Sequence, residues 1–157
     1  MRPGVRVGVD VGTARVGVAA SDFAGVLASP VTVLRRRSRR DDDLDALAAL
    51  VAKREAVEVV VGLPRSMRGG EGPAALAARD YAAQVSQRVA PVPVRLVDER
   101  LTTVTAQRGL HAAGRTVRSS RDVIDAAAAV VILQSALDSE RAVGRPPGEV
   151  VGGAVDV

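Results

Sequence analysis

Two β-branched runs, VRVGVDV at 5–11 and RVGVAAS at 15–21, are separated only by Gly12, Thr13 and Ala14. So short a gap can be crossed only by a turn, and the pair predicts an antiparallel hairpin with glycine at the bend. VLASPVTVL at 26–34 extends this sheet, with Pro30 confining the third strand to an edge or a bulge because proline has no N–H for a ladder. VEVVVG at 57–62 is apolar almost without alternation, the pattern of a strand covered on both faces. Helices must supply the covers. Leu44, Leu47, Leu50 and Val51 fall at helical spacing, and Pro73 is a good first residue for an Ala-rich helix reaching about residue 89. VPVRLVD at 92–98 predicts another strand, followed by helices at about 102–113 and 120–139 with a break near Gly114. Strands first and β-α alternation afterwards predict an α/β fold, a mixed β-sheet flanked by helices. One domain is expected over residues 1–139, with the Gly- and Pro-rich tail, 140–157, disordered.

Composition removes much chemistry from such a domain. With no cysteine there is no thiol nucleophile, thiolate zinc site or disulfide, and His111 is the only histidine among 157 residues. One tyrosine, one phenylalanine and no tryptophan leave almost nothing for stacking on bases, so any nucleic acid must be held through its backbone. No stretch is apolar for the roughly 18–20 residues of a membrane span, and a cytoplasmic, membrane-free protein is expected. Carboxylates and arginines remain. The net charge is only +4, but Lys53 is the sole lysine, and Arg100, Arg108, Arg115, Arg118 and Arg121 lie with His111 in a tract without an acidic residue. Such a tract suits phosphate contacts, and a solvated helix face explains it equally simply.

Some acidic residues have an evident structural task. Asp41 to Asp43 suit a helix N-terminus, and Asp122 completes a capping pattern begun at Ser119. Asp125 differs, because RDVIDAAAAVVILQSAL is apolar on nearly all sides and an isolated buried carboxylate is too costly to leave unmatched. Asp10 ends an apolar strand, where capping the following turn is an alternative task. Asp98 and Glu99 end another, and strand alternation lets only one of them face the same way as its neighbours. Carboxylates at two strand ends and one helix can meet at a single sheet edge, where open α/β sheets bind ligands. They would repel one another without cations between them. Mg²⁺, or Mn²⁺, fits oxygen ligands, and a paired-metal site hydrolyses phosphodiesters without histidine or cysteine.

GVDVGTARVGVA (8–19), VVVGLPRSMRGGEG (59–72), LVDERLTTVTA (96–106) and RDVIDAAAAVVILQSAL (121–137) resemble, in order and spacing, the four signature blocks of the YqgF family, also called RuvX. The resemblance spans residues 4–139. It implies a ribonuclease H-like fold and a metal-dependent nuclease, acting in 5′-end maturation of precursor 16S ribosomal RNA or on four-way DNA (Holliday) junctions. The implied partners are nucleic acid and the small-subunit precursor, with the protein a monomer or a homodimer. The family's catalytic and metal-holding acids fall on Asp10, Glu99 and Asp125, with Asp98 in reserve. Thr13, Arg15, Arg100, Thr102, Thr103, Arg115 and Arg118 are candidates for substrate contact, and Thr102 is as readily a helix cap.

In two places the chain departs from the pattern. The family loop reads close to GLPLNMDGSEG, whereas Arg65, Ser66 and Arg68 here replace its Leu, Asn and Asp, and Thr105 stands where an acid is usual. Two other readings compete. An Asp-x-Gly-Thr turn also opens the phosphate loop of actin-like ATPases and sugar kinases, which need two facing domains. A ribosome-assembly or nucleic-acid-binding module with a purely structural acidic trio is the non-enzymatic alternative.

Overall fold

The computed structural model describes residues 1–36, 42–66, 70–101 and 118–152, with the backbone alone for 101 and 118–125. Six strands form one sheet: β1 Arg6–Val11, β2 Arg15–Ser21, β3 Ala28–Arg35, β4 Glu58–Leu63, β5 Val94–Asp98 and β6 Glu149–Val150. Their order is β3-β2-β1-β4-β5-β6. The β1–β2 and β2–β3 pairs are antiparallel, β4 joins β1 and β5 joins β4 in parallel, and β6 closes the far edge antiparallel to β5. Helices α1 (Asp42–Lys53), α2 (Pro73–Val89) and α3 (Arg118–Val143) complete the described elements.

The hairpin is as tight as its gap requires. Gly12 N–H donates to Arg15 O at 2.9 Å, and a Cβ on Gly12 would lie 2.7 Å from that oxygen. Pro30 satisfies both expectations, since β3 is an edge strand and its register with β2 shifts where Ala19 meets Pro30. Strand alternation then divides the core. Val7, Val9, Val59, Val61, Val94 and Leu96 pack with Leu44 and Leu47 of α1 and Ala78, Tyr81 and Val85 of α2. Ala19, Val60 and Val97 belong to a second cluster with Ala129, Ile132, Leu133 and Leu137 of α3. The unbroken apolar run of β4 is explained by these two covers.

Glycine sets how closely α3 approaches. A Cβ on Gly8 would stand 2.7 Å from Leu133 Cβ and 3.1 Å from Ala129 O. Farther along, Glu140 pairs with Arg6 at the start of β1 at 3.3 Å. The helix therefore runs antiparallel to β1, its C-terminal end at the start of the strand and its N-terminal turns toward Val11. Its buried stripe includes Ala129, Ile132, Leu133, Ala136, Leu137 and Glu140, while Val130 and Val131 are only half-buried, so the helix has a sheet face rather than burial all round.

Three expectations need correction. Residues 140–152 are not a structureless tail: α3 continues to Val143, and β6 adds to β5 with Leu96 opposite Glu149. Gly148 makes this possible. Its φ is +86°, and a side chain there would collide with Leu96 O. The charged run 35–43, whose composition alone predicts a solvated loop leading into a helix, is not all solvated: Arg36 donates to Gly12 O at 2.8 Å and stacks on Tyr81 at 5.1 Å, and buried Asp43 accepts from Tyr81 Oη at 2.8 Å. Finally, α3 begins at Arg118, which places Ser119 inside the helix rather than at its cap. The helix expected at 102–113 lies outside the described residues.

Candidate active site at the carboxyl edge of the sheet

Asp10 is the fifth residue of β1 and shares the parity of Gly8, so it lies on the α3 face, opposite Gly17 of β2. It is 7% exposed. On its other side the β1–β4 register ends with Val9 opposite Val61, and Gly62 follows. Glycines thus flank the carboxylate on both sides, Gly17 on β2 and Gly62 on β4.

Glu99 comes from the other side. The strand β5 ends at Asp98, and Glu99 starts a single 3₁₀ turn, Glu99–Leu101. Continuing the parity of Val97, it enters the α3 face and is 2% exposed. Its carboxylate sits over Gly62: a Cβ there would be 2.6 Å from Glu99 Oε2 and 2.5 Å from Ile132 Cδ1. Burial, reinforced by the negative charge of Asp98, raises Glu99 from the usual carboxylate range to about 7. Gly62 was not among the residues singled out from sequence. The available signal was a glycine at the end of a fully apolar strand, which marks a close approach.

Asp98 takes the opposite role. It has the parity of Leu96 and is registered with Leu63, away from α3. Arg100 Nη2 reaches its Oδ2 at 2.6 Å, Arg100 N–H donates to Oδ1 at 2.9 Å, and Arg65 Nη1 donates to Oδ2 at 3.3 Å. These bonds, the Arg100 side chain first, hold its acidity at about 2.

The backbone of α3 places Asp125 one turn before Ala129. Four helical residues rise about 6 Å, nearly the roughly 6.6 Å that two strand residues cover from Gly8 to Asp10. Asp125 therefore occupies the register position on α3 that corresponds to Asp10 on β1. Thr13 is exposed in the hairpin turn, Arg15 is half-buried at the start of β2, and Arg100 lies in the 3₁₀ turn against Asp98. Arg118 begins α3, described by its backbone; Thr102, Thr103 and Arg115 lie outside the described residues, as does most of the basic tract.

An antiparallel three-strand meander continued by two parallel strands, with helices on both faces and an acid in the first strand, defines a ribonuclease H-like α/β fold. The structure of Thermus thermophilus RuvC in complex with a Holliday junction substrate superposes with a TM-score of 0.53 and 15% identity, covering 93% of this chain and 99% of that one. Within that fold class the chain belongs to the RuvX family, described as Holliday junction resolvase, which matches residues 4–139. A Kineococcus radiotolerans protein is 58% identical over 153 residues, 98% of this chain and 81% of its own. One from Streptomyces coelicolor is 56% identical over 155 residues, 96% of this chain and 90% of its own. Both carry the name "Putative pre-16S rRNA nuclease".

Proposed function

We propose that this chain is a divalent-metal-dependent nuclease that hydrolyses phosphodiester bonds in the 5′-end maturation of precursor 16S ribosomal RNA. The observation that carries the reading is the pair of buried carboxylates, Asp10 and Glu99, brought to one face of the sheet edge on either side of Gly62. The donor set fits a hard cation. Among the described residues the candidate ligands offer oxygen alone, and a carboxyl whose proton affinity is raised by burial and a nearby negative charge is one that a cation would discharge.

Asp10, Glu99 and Asp125 would hold Mg²⁺ or Mn²⁺, which when bound would activate water and stabilise the leaving oxygen. Each protein group has a separate part. The hairpin fixes Asp10, Gly62 gives Glu99 its place, and Asp125 stands on α3 one turn before Ala129. Arg100, with Thr13, Arg15, Thr102, Thr103, Arg115 and Arg118, is assigned to the substrate backbone. Relatives more than half identical over nearly the whole chain support ribosomal RNA as substrate, hence the cytoplasm and the small-subunit precursor as its setting. The family description supports a second reading, resolution of four-way DNA junctions. That reaction requires two symmetric sites and so a homodimer, whereas RNA trimming needs only a monomer.

Incubation with precursor 16S ribosomal RNA and with a four-way DNA junction separates the readings. With Mg²⁺ or Mn²⁺ the RNA should be cut at its 5′ side, and chelator or Asp10→Asn should abolish cutting. Cleavage that survives chelation contradicts the metal reading, and preferential junction cleavage selects the second one. Binding without cleavage under any divalent ion selects the non-catalytic module.

A further inference from the structure

The loop that departs from the family pattern ends beside the candidate site. Because Leu63 is registered with Asp98, the residues following β4 leave the sheet next to those following β5. Arg65 thereby reaches Asp98 Oδ2 with Nη1 at 3.3 Å, the oxygen that Arg100 holds through Nη2 at 2.6 Å. Two guanidiniums share one carboxylate. Arg65 is anchored from behind as well, since its Nη2 donates to Glu71 at 3.3 Å and Glu71 is itself gripped by Arg79 through two bonds of 2.7 Å. Arg100 commits Nε and Nη2 to Asp98, and among the described residues both N–H groups of Nη1 have no partner. The two side chains remain 31% and 32% exposed.

Such an arrangement is more than a surface ion pair. The Arg65–Asp98–Arg100 triad carries a net positive charge, lies at the residue preceding Glu99, and holds two planar forks in fixed orientation. Fixed guanidiniums with N–H groups left over from the described bonds match the geometry of a phosphodiester oxygen pair. Asp98 supplies order rather than ligation.

We infer that Arg65 and Arg100, clasped by Asp98, form a subsite for a backbone phosphate of the RNA adjoining the scissile bond, with Arg65 a substrate-binding residue and Asp98 a positioning residue. The inference rests on the nuclease reading for its substrate, but binding alone can test it. The decisive variant is Asp98→Asn. It removes a negative charge, so simple electrostatics requires tighter RNA binding, whereas loss of the clasp requires weaker binding.

The test uses the full chain and a labelled RNA spanning the 5′ junction of precursor 16S ribosomal RNA, with chelator present, over a series of salt concentrations. Arg65→Leu and Arg100→Leu should each weaken binding severalfold and flatten the slope of log affinity against log salt by about 0.7, the contribution of one contact to a single strand. Asp98→Asn should also weaken it. Arg65→Lys and Arg100→Lys should keep the slope but lose affinity, which decides the matter if the Asn variant fails to fold. Exposed Arg54, at the end of α1, is the control, and Arg54→Leu should change affinity less than twofold. Tighter binding by Asp98→Asn, or Arg65→Leu no different from Arg54→Leu, overturns the subsite. So does absence of RNA binding by the wild type. Binding that responds as expected, with no cleavage when Mg²⁺ is restored, overturns the nuclease reading and leaves the subsite intact.

Discussion

The two ends of the sheet bury the same kind of residue beneath the same helix and treat it in opposite ways. At the amino edge, Glu58 and Glu140 are nearly inaccessible and lie among arginines. Arg2 bonds Glu140 at 2.8 Å and Glu58 at 3.1 Å, Arg95 bonds Glu58 at 2.8 Å, and fully buried Arg6 reaches Glu140 at 3.3 Å. The Arg2 side chain above all holds Glu140 at about 2. At the carboxyl edge, burial and Asp98 push Glu99 to about 7. Burial raises both glutamates; at Glu140 the arginine hydrogen bonds outweigh it, and at Glu99 it prevails with Asp98 adding to it. One edge staples α3 to the sheet; the other holds Glu99 above the usual carboxylate range.

The largest expected difference is in stability. Glu140→Gln leaves Arg6 buried without its counter-charge and should cost about 3–5 kcal/mol by denaturant unfolding, the usual result of breaking a buried pair from one side. Glu99→Gln should be neutral or stabilising without metal. A comparable loss in both would erase the distinction between the edges. Activity reverses the order: Asp10→Asn and Glu99→Gln should each lower cleavage by at least about a hundredfold, since several kcal/mol of charge stabilisation depend on the metal. Glu140→Gln, assayed at a temperature where it is folded, should retain near-wild-type turnover.

Much of this architecture is legible in the sequence because it is local. The Gly12 hairpin, the doubly covered β4, Pro73 opening α2 and the odd position of Asp10 all follow from residues close together in the chain. What escapes local reading depends on distant partners. Glu140 finds Arg6 and Arg2 across more than 130 positions, Arg36 supports Gly12 after two intervening strands, and β6 forms only because Gly148 fits against Leu96. Periodicity separates Asp98 from Glu99 without assigning them tasks; the two arginines on Asp98 supply that difference.

A smaller effect sharpens the carboxyl edge. Gly62→Ala would set a methyl 2.6 Å from Glu99 Oε2 and 2.5 Å from Ile132 Cδ1, both ends of flexible side chains. The fold should lose about 1 kcal/mol, as mild overpacking does. Cleavage should fall about tenfold or more because the carboxylate is displaced. Unchanged cleavage would detach Glu99 from the chemistry.

The smallest and most graded effect is with pH. Glu140, held below its usual 4.5, contributes stability above that value that is lost as pH falls toward 2. Glu99 has the opposite sign. Held above 4.5, it binds its proton more tightly in the folded state, so its contribution is greatest below pH 4.5 and is lost as pH rises through about 7. Metal-free unfolding of wild type and Glu99→Gln should therefore diverge between pH 4.5 and 7, and parallel curves would contradict the buried-proton assignment.

The central claim is that the carboxyl edge, and not the amino edge, holds a divalent cation. Calorimetric titration of the metal-free protein with Mn²⁺ at pH 8 tests it without reference to any substrate. Binding should weaken at least about tenfold in Asp10→Asn and in Glu99→Gln, persist in Glu140→Gln, and fall away in the wild type as pH drops below 7. Mn²⁺ bound equally well by the Asp10→Asn and Glu99→Gln variants would contradict it.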